Sequence, residues 1–317
     1  MPLSPWRLHH SSGASLLIDK LEFLLALERE RHFGRAAEAC GVTQPTMSTN
    51  LKQLEDILGV MLVQRGSRFQ GFTPEGERTL DWARRIVADA RGMRQEINKL
   101  KEGLTGEIRL AVVPTALGMV ASLTTPFRAQ YPDVRFKIIS CTSSEVLGLL
   151  ENLEVDAGLT YIENEPLGKV RTIPFYRESY RLITSPEGKF GERLQVTWKE
   201  VGQIPLCLLT SDMQNRRIID RALKAAHAEL MPTLTSNSTI VLYTHVKTGR
   251  WSSVMPAKLA ETLDLSDSLR VIPIIDPIVT FGMGLVVPPR DPLTPLIDTL
   301  VRVVRDVAHT VESASSS

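Results

Sequence analysis

The chain has 317 residues, more than one hydrophobic core ordinarily supports, so two domains are expected. An apolar fraction of 43% with 23% charged residues excludes wholesale disorder, and no apolar run reaches the ~18–20 residues that cross a bilayer. Net charge is +1, and residues 1–103 carry 15 basic against 13 acidic groups, too small a bias to mark a nucleic-acid binder by itself.

Met1 to Ser15 holds no apolar stretch long enough for a signal peptide, so a cytoplasmic location is expected and residues 1–17 read as a disordered extension. From Asp19 to Glu30, Leu21, Leu24, Leu25 and Ala26 recur with helical spacing. A short second helix over Gly34–Cys40 should bury Phe33, Ala36, Ala37 and Cys40, and Gly41 suits the left-handed position that ends it. Thr43 is the candidate N-cap of a third helix, with Pro45 in its first turn, where a missing N–H costs nothing. Met47, Leu51, Leu54 and Leu58 form its buried stripe, which points Pro45, Ser48, Thr49 and Lys52 outward with Thr46 and Gln53 beside them. A polar helix face is common on any surface. The order of a short Ala-Ala helix, a Gly41-Val42-Thr43 turn and this polar-faced helix is what predicts a helix-turn-helix reading double-stranded DNA. The segment Leu62–Phe72, with Gly66 and Gly71, reads as a hairpin wing whose Arg65 and Arg68 reach phosphates.

Thr73-Pro74-Glu75 is a strong helix start. From there Ala83, Ile86, Ala90, Met93, Ile97, Leu100 and Leu104 repeat at steps of three and four, a heptad seam suited to a second copy of the chain. Gly103 and Gly106 mark a hinge, after which strands alternate with helices. Glu107–Val113, Val134–Ser140 and Asp156–Leu159 read as strands around helices at Thr115–Tyr131 and Ser143–Asn152, a βαβ series implying a parallel sheet. A second series runs through Arg181–Thr184, Leu206–Leu209, a helix near Asn215–Glu229, Ser238–Val246, Ser252–Met255 and Leu269–Ile274. The strand-like Thr280–Val287 and a helix over Leu293–Val311 complete it.

Ligands of open α/β sheets bind beyond the carboxyl ends of strands, where helix N-termini favour anions. Four such junctions carry hydroxyls or amides: Pro114-Thr115, Thr142-Ser143-Ser144, Thr210-Ser211 and Ser236-Asn237-Ser238. Taken singly, helix capping is the better reading of each; convergence on one cleft would make them a site. Tyr161 and Trp251 are candidate walls, with core packing an equal alternative.

The ordered segments Phe33-Gly34-Arg35-Ala36-Ala37-Glu38, Val42-Thr43-Gln44-Pro45-Thr46-Met47-Ser48, Leu54-Glu55-Asp56-Ile57-Leu58-Gly59, Gln64-Arg65 and Thr73-Pro74-Glu75-Gly76 resemble those of the LysR-type transcriptional regulators. His32 departs from the usual serine cap and Val63 from the usual phenylalanine before the wing. The resemblance implies a winged helix-turn-helix over residues 18–73, a linker and dimerisation helix over 74–105, and a periplasmic-binding-protein-like effector domain over 106–317. Within that domain, one lobe comprises about 106–177 plus 280–311 and the other about 178–279. Arg35, Thr43, Gln44, Pro45, Thr46, Ser48, Thr49, Lys52, Gln53, Arg65 and Arg68 would serve DNA. Thr115, Thr142, Ser143, Thr210 and Asn237 would serve a small effector, expected to be a carboxylate or other anion, with Ser144, Tyr161 and Ser238 added from the junctions. A homodimer or homotetramer is implied, and RNA polymerase is open as a further partner. The runs Arg31-His32-Phe33-Gly34-Arg35-Ala36-Ala37 and Met213-Gln214-Asn215-Arg216-Arg217 are also similar to a subgroup encoded beside formate dehydrogenase genes, which makes formate or a metabolite of one-carbon oxidation the first ligand to try.

Competing functions fare less well. Cys40, Cys141 and Cys207 are far apart, and six scattered histidines offer no metal spacing, so no metal or other cofactor is expected. No nucleophile elbow or phosphate-binding glycine loop occurs, which argues against an enzyme. The C-terminal half alone would also fit a solute-binding protein, and a regulator governed by oligomerisation without a ligand remains a third alternative.

Overall fold

The computed structural model describes residues 13–315 except 65, 67, 68, 164, 165, 229–231, 266 and 267, so the expected phosphate contacts of Arg65 and Arg68 lie outside the described residues. The chain divides into two compact units, Met1–Lys101 and Glu102–Ser317.

The first unit is helical. Helix α1 (Gly13–Glu30) begins within the segment expected to be a disordered extension, because its apolar spacing continues upstream of Asp19. Leu21, Leu24, Ala26 and Leu27 are buried along it; Leu25 is only half-buried, and Leu27 takes the place expected for it. Helix α2 (Phe33–Ala39) buries Ala36 and Ala37, while Phe33 and Cys40 are half-buried. His32 caps α2: its Nδ1 accepts from the Gly34 and Arg35 N–H groups at 3.1 and 3.3 Å, so the unusual residue performs the job of a serine. Gly41 takes φ +69°, which a residue with a Cβ adopts only at a cost. Helix α3 (Gln44–Leu58) is capped by Thr43, whose Oγ1 accepts from the Thr46 N–H, and it ends on left-handed Gly59. Met47, Leu51 and Leu54 are buried as the stripe predicts; Leu58 is 44% exposed, because the last turn of α3 runs past the core.

The wing is held from α3. Glu55 Oε1 accepts from the Leu62 and Val63 N–H groups at 2.8 and 3.2 Å, and Val63 bridges Phe72 in antiparallel fashion. The Thr73 hydroxyl donates to the Met61 carbonyl and accepts from the Gly76 N–H, joining the wing to helix α4 (Pro74–Glu102). That helix has two faces. Leu80, Ala83, Val87 and Ala90 are buried within the unit, and Arg84–Glu28 and Arg91–Glu22 ion pairs tie α4 to α1. Trp82, Ile86, Met93, Ile97 and Leu100 are exposed, Leu100 at 87%. The expected seam is therefore split: Ala83 and Ala90 are covered inside the unit, and Leu104 packs on the core of the other one.

In the second unit, strand β1 (Gly106–Val112) leads through a 3-10 turn (Pro114–Ala116) into helix α5 (Leu117–Gln130). Strand β2 (Val134–Ser140), helix α6 (Ser143–Glu151) and strand β3 (Ala157–Tyr161) follow. Next come strand β4 (Arg171–Thr184), strand β5 (Val196–Thr197), helix α7 (Trp198–Val201), strand β6 (Cys207–Leu209) and helix α8 (Gln214–Ala225). Strand β7 (Leu234–Ser236), helix α9 (Thr239–Val246), strand β8 (Ser253–Pro256), helix α10 (Ala257–Thr262), strand β9 (Arg270–Ile275), strand β10 (Thr280–Val287) and helix α11 (Pro295–Ser315) complete it.

Strands β2-β1-β3 are parallel, as the βαβ pattern predicts. Beyond them the pairing turns antiparallel. β10 lies antiparallel between β3 and β4, and the far end of β4 pairs antiparallel with β8 and β9. The 14-residue β4 is the reason: Arg171–Ser179 belong to one lobe and Tyr180–Thr184 to the other, so a single strand joins both. The main apolar core runs through the first lobe and the junction into the far lobe around Trp198, Leu206 and Ile218, and a second core around Ile183, Cys207, Leu242 and Met255 lies within the far lobe.

Candidate nucleic-acid interface and effector site

On α3 and its cap, Thr43, Gln44, Pro45, Thr46, Ser48, Thr49, Lys52 and Gln53 are all exposed. The Thr43 and Thr46 hydroxyls lie 2.9 Å apart and are spent on capping. Among the described residues Ser48, Thr49, Lys52 and Gln53 form no side-chain hydrogen bond, leaving hydroxyl, ammonium and amide groups for base edges and phosphates. Arg35 is tied back, donating to the Glu30 carbonyl at 2.6 Å, with the Glu30 carboxylate 3.8 Å away.

At the lobe junction of the second unit a narrow cavity of about 10 Å³, room for about one water, lies between Val113, Pro114, Thr115, Ser143 and Tyr161 on one lobe and Leu209, Met213, Gln214 and Asn215 on the other. It is small beside the roughly 300–1,000 Å³ of drug-sized pockets. Thr115, Ser143 and Tyr161 are thus brought together from three expected positions, and the Thr115 and Tyr161 hydroxyls lie 3.1 Å apart. Burial pushes the Tyr161 phenol up to about 12, so it stays neutral.

The other candidates do not line the cavity. Thr142 caps α6 in a reciprocal box with Glu145, and the exposed Ser144 lies 3.2 Å from the Thr142 hydroxyl. Thr210 contributes its carbonyl to the turn before α8, and its buried Oγ1 has no partner. Asn237 is exposed and Ser238 half-buried at the start of α9. Trp251 packs against the second core and donates to Thr233 Oγ1 at 2.8 Å, so of its two readings the packing one describes it.

Gln214 and Asn215 were not among the expected site residues. Both are 3% exposed; Gln214 Nε2 has no hydrogen-bond partner, and Asn215 Nδ2 lies against the Tyr161 and Tyr180 hydroxyls without reaching either in hydrogen-bond geometry. Gln214 Oε1 accepts from Arg217 Nε at 2.7 Å, and the same guanidinium reaches Ser143 Oγ across the cavity at 3.4 Å. A buried unpaired donor costs roughly 1–3 kcal/mol, so two of them beside a cavity call for an acceptor. In sequence they stood only as an amide pair opening an amphipathic helix, which by itself reads as ordinary helix initiation, and within the run Met213–Arg217 that resembles the subgroup named above.

The three thiols are not activated nucleophiles. Burial pushes Cys40, Cys141 and Cys207 each up to about 11, far from the lowered values of reactive cysteines. Among the described residues no cluster of His, Cys, Asp or Glu could hold a metal ion, and no helix is long and apolar enough to cross a membrane.

A winged helix-turn-helix followed by a two-lobed α/β unit with a cavity at its junction defines a ligand-responsive transcription regulator. Residues 18–77 match the description "Bacterial regulatory helix-turn-helix protein, lysR family", and residues 101–309 match "LysR substrate binding domain". The chain belongs to the LysR family of transcription regulators; it is a DNA-binding regulator with an effector-binding domain and not an enzyme. It is 26% identical to the DNA-binding transcriptional dual regulator OxyR of Escherichia coli K12 over 292 residues, which cover 91% of this chain and 94% of that one. To the regulator CysB of Haemophilus influenzae it is 27% identical over 231 residues, 72% of each chain. Among solved structures, a full-length OxyR variant from Pseudomonas aeruginosa shares the fold with a TM-score of 0.72 at 23% identity, covering 94% of this chain and 96% of that one. Full-length CbnR in complex with its target DNA matches with a TM-score of 0.59 at 19% identity, covering 92% and 99%.

Proposed function

We propose that the chain works in the cytoplasm as a homodimer or a homotetramer, laying α3 in the major groove of its operator and answering to a small anion bound between the lobes. The carrying observation is the pair of buried, unpartnered amide donors of Gln214 and Asn215 at a cavity that also presents Thr115 and Ser143. Donors without acceptors favour a carboxylate or similar anion, and the small cavity favours one of few heavy atoms. Formate is the first candidate, in keeping with the resemblance of Met213–Arg217 to the subgroup found beside formate dehydrogenase genes. Because its ligands come from both lobes, such an anion binds one degree of closure better than another and shifts the population of DNA-bound forms by that difference. The exposed stripe Ile86, Met93, Ile97 and Leu100 supports pairing through α4, and RNA polymerase is the partner an activating form would meet at a promoter.

Several relatives carry the name hydrogen peroxide-inducible genes activator. A peroxide response is not proposed for this chain, because its thiols are held protonated by burial. The test of the effector reading is thermal unfolding of the full chain with formate, acetate, glycolate and phosphate, together with operator binding in their presence. Stabilisation by at least one anion, lost in Gln214→Leu and Asn215→Leu, is expected; no response to any of the four would overturn the reading.

A further inference from the structure

Behind the cavity the junction holds a second set of buried polar groups. Tyr176, Glu178 and Tyr180 alternate along β4 and so share one face of the strand that links the lobes. Glu178 is 1% exposed. Its Oε1 accepts from the Ser179 and Lys258 N–H groups at 3.0 and 3.3 Å, while Oε2 is buried without a partner, as are the hydroxyls of Tyr176 and Tyr180. Among the described residues no side chain facing it supplies a free positive charge; only the backbone N–H groups of Ser179, Ala257 and Lys258 favour its ionised form. Tyr176 and Tyr180 on its own strand and Tyr161 on β3 are neutral phenols, and its register partner on β10 is Phe281. From α10, the Lys258 ammonium is engaged by the Glu261 carboxylate at 3.0 Å, and Glu261 adds a like charge. Among the described residues Glu178 forms no ion pair. Burial accordingly pushes its carboxyl up to about 7, against an opposing pull from backbone N–H groups.

The two polar sets are continuous. Tyr161 lines the cavity and feels the Glu178 charge, and Asn215 lies against both Tyr161 and Tyr180. We propose that Glu178 makes occupancy of the inter-lobe site proton-linked: an anion seated at Gln214 and Asn215 is taken up together with one proton, which passes from solvent to Glu178 Oε2. This rests on the anionic effector reading. Two negative charges in one buried junction repel, so the incoming anion raises the proton affinity of Glu178. By linkage, a protonated Glu178 raises anion affinity by the same factor. The carboxylic acid so formed carries no charge to repel the anion and gains one donor at Oε2–H. Glu178 is thus a positioning residue, acting through Tyr161 and Tyr180.

The experiment is isothermal titration of the full chain with sodium formate, acetate and glycolate, all fully ionised at pH 7.5, in two buffers of different ionisation enthalpy. With half-protonation near pH 7, uptake of about 0.7 proton per anion is expected, and affinity should weaken about tenfold between pH 7 and pH 8.5. Glu178→Gln should bind without proton uptake and with flat affinity, whereas Glu178→Asp, which restores a titrating carboxyl, should recover the uptake. Binding to the wild type without proton exchange overturns the proposal and leaves the effector reading standing; uptake that persists in Glu178→Gln overturns the assignment to this residue. Failure of every anion to bind removes both readings together.

Discussion

Replacing Glu178 by glutamine tests the energetics of the junction with no ligand present. The amide oxygen can still accept from the Ser179 and Lys258 N–H groups, so the substitution removes the titration and keeps the geometry. Below pH 4.5 the carboxyl is protonated in folded and unfolded chains alike and contributes no pH dependence. Between 4.5 and about 7 the unfolded chain releases this proton while the folded chain keeps it, so folded-state stability falls by about 1.4 kcal/mol for each pH unit. Above 7 the whole penalty, about 3 kcal/mol, is present. Glu178→Gln should therefore match the wild type within about 1 kcal/mol at pH 5 and exceed it by about 3 kcal/mol at pH 8. For a unit of this size the gain at pH 8 corresponds to a melting temperature higher by roughly 6–12 °C. The assay is urea unfolding of the full chain with Trp6 and Trp82 changed to Phe, so that Trp198 and Trp251 report on the second unit alone. A difference between variant and wild type that stays constant from pH 5 to pH 8 would refute the reasoning.

Three further outcomes are expected from the first unit. Thr49→Ala should weaken binding to operator DNA and leave random DNA unaffected, whereas Lys52→Ala should weaken both and flatten the salt slope by about 1; fluorescence anisotropy at several salt concentrations separates them. Equal losses on both DNAs for Thr49→Ala would remove it from base reading. At the cap of α2, His32→Ala should cost about 1 kcal/mol in thermal unfolding and His32→Ser almost nothing, since a hydroxyl can accept from the same N–H groups. Joint substitution of Ile97 and Leu100 by Glu should convert the oligomer to monomers in sedimentation equilibrium, while the melting of the first unit stays unchanged because both side chains are exposed. An unchanged assembly would place the subunit contact elsewhere.

The helix-turn-helix was legible because its determinants are local. Thr43 caps α3 three residues ahead of the N–H it binds, Gly41 and Gly59 occupy left-handed positions, and Met47, Leu51 and Leu54 mark a buried stripe within one helix. Even the departure at His32 concerned groups two and three residues away, so its role follows from the same short-range chemistry. The parallel strands β1 to β3 were legible for a related reason, since βαβ units join neighbours in sequence to neighbours in space. Long-range pairing was not. The antiparallel insertion of β10 between β3 and β4 brings residue 283 beside residues 161 and 176, and no local pattern announces it. The candidate site shows the same division. Thr115, Ser143 and Tyr161 stand at strand ends whose positions periodicity predicts. Thr142 and Ser144 look identical to them in sequence, and only the packed structure separates a capping hydroxyl from one that lines the cavity. Gln214, Asn215 and Glu178 lie far along the chain from their neighbours at the junction, as Asn215 from Val113 and Glu178 from Phe281. Their character there, amides without acceptors and a carboxyl without a cation, is set by what surrounds them, and burial is a property of the folded chain that a side chain's identity does not carry.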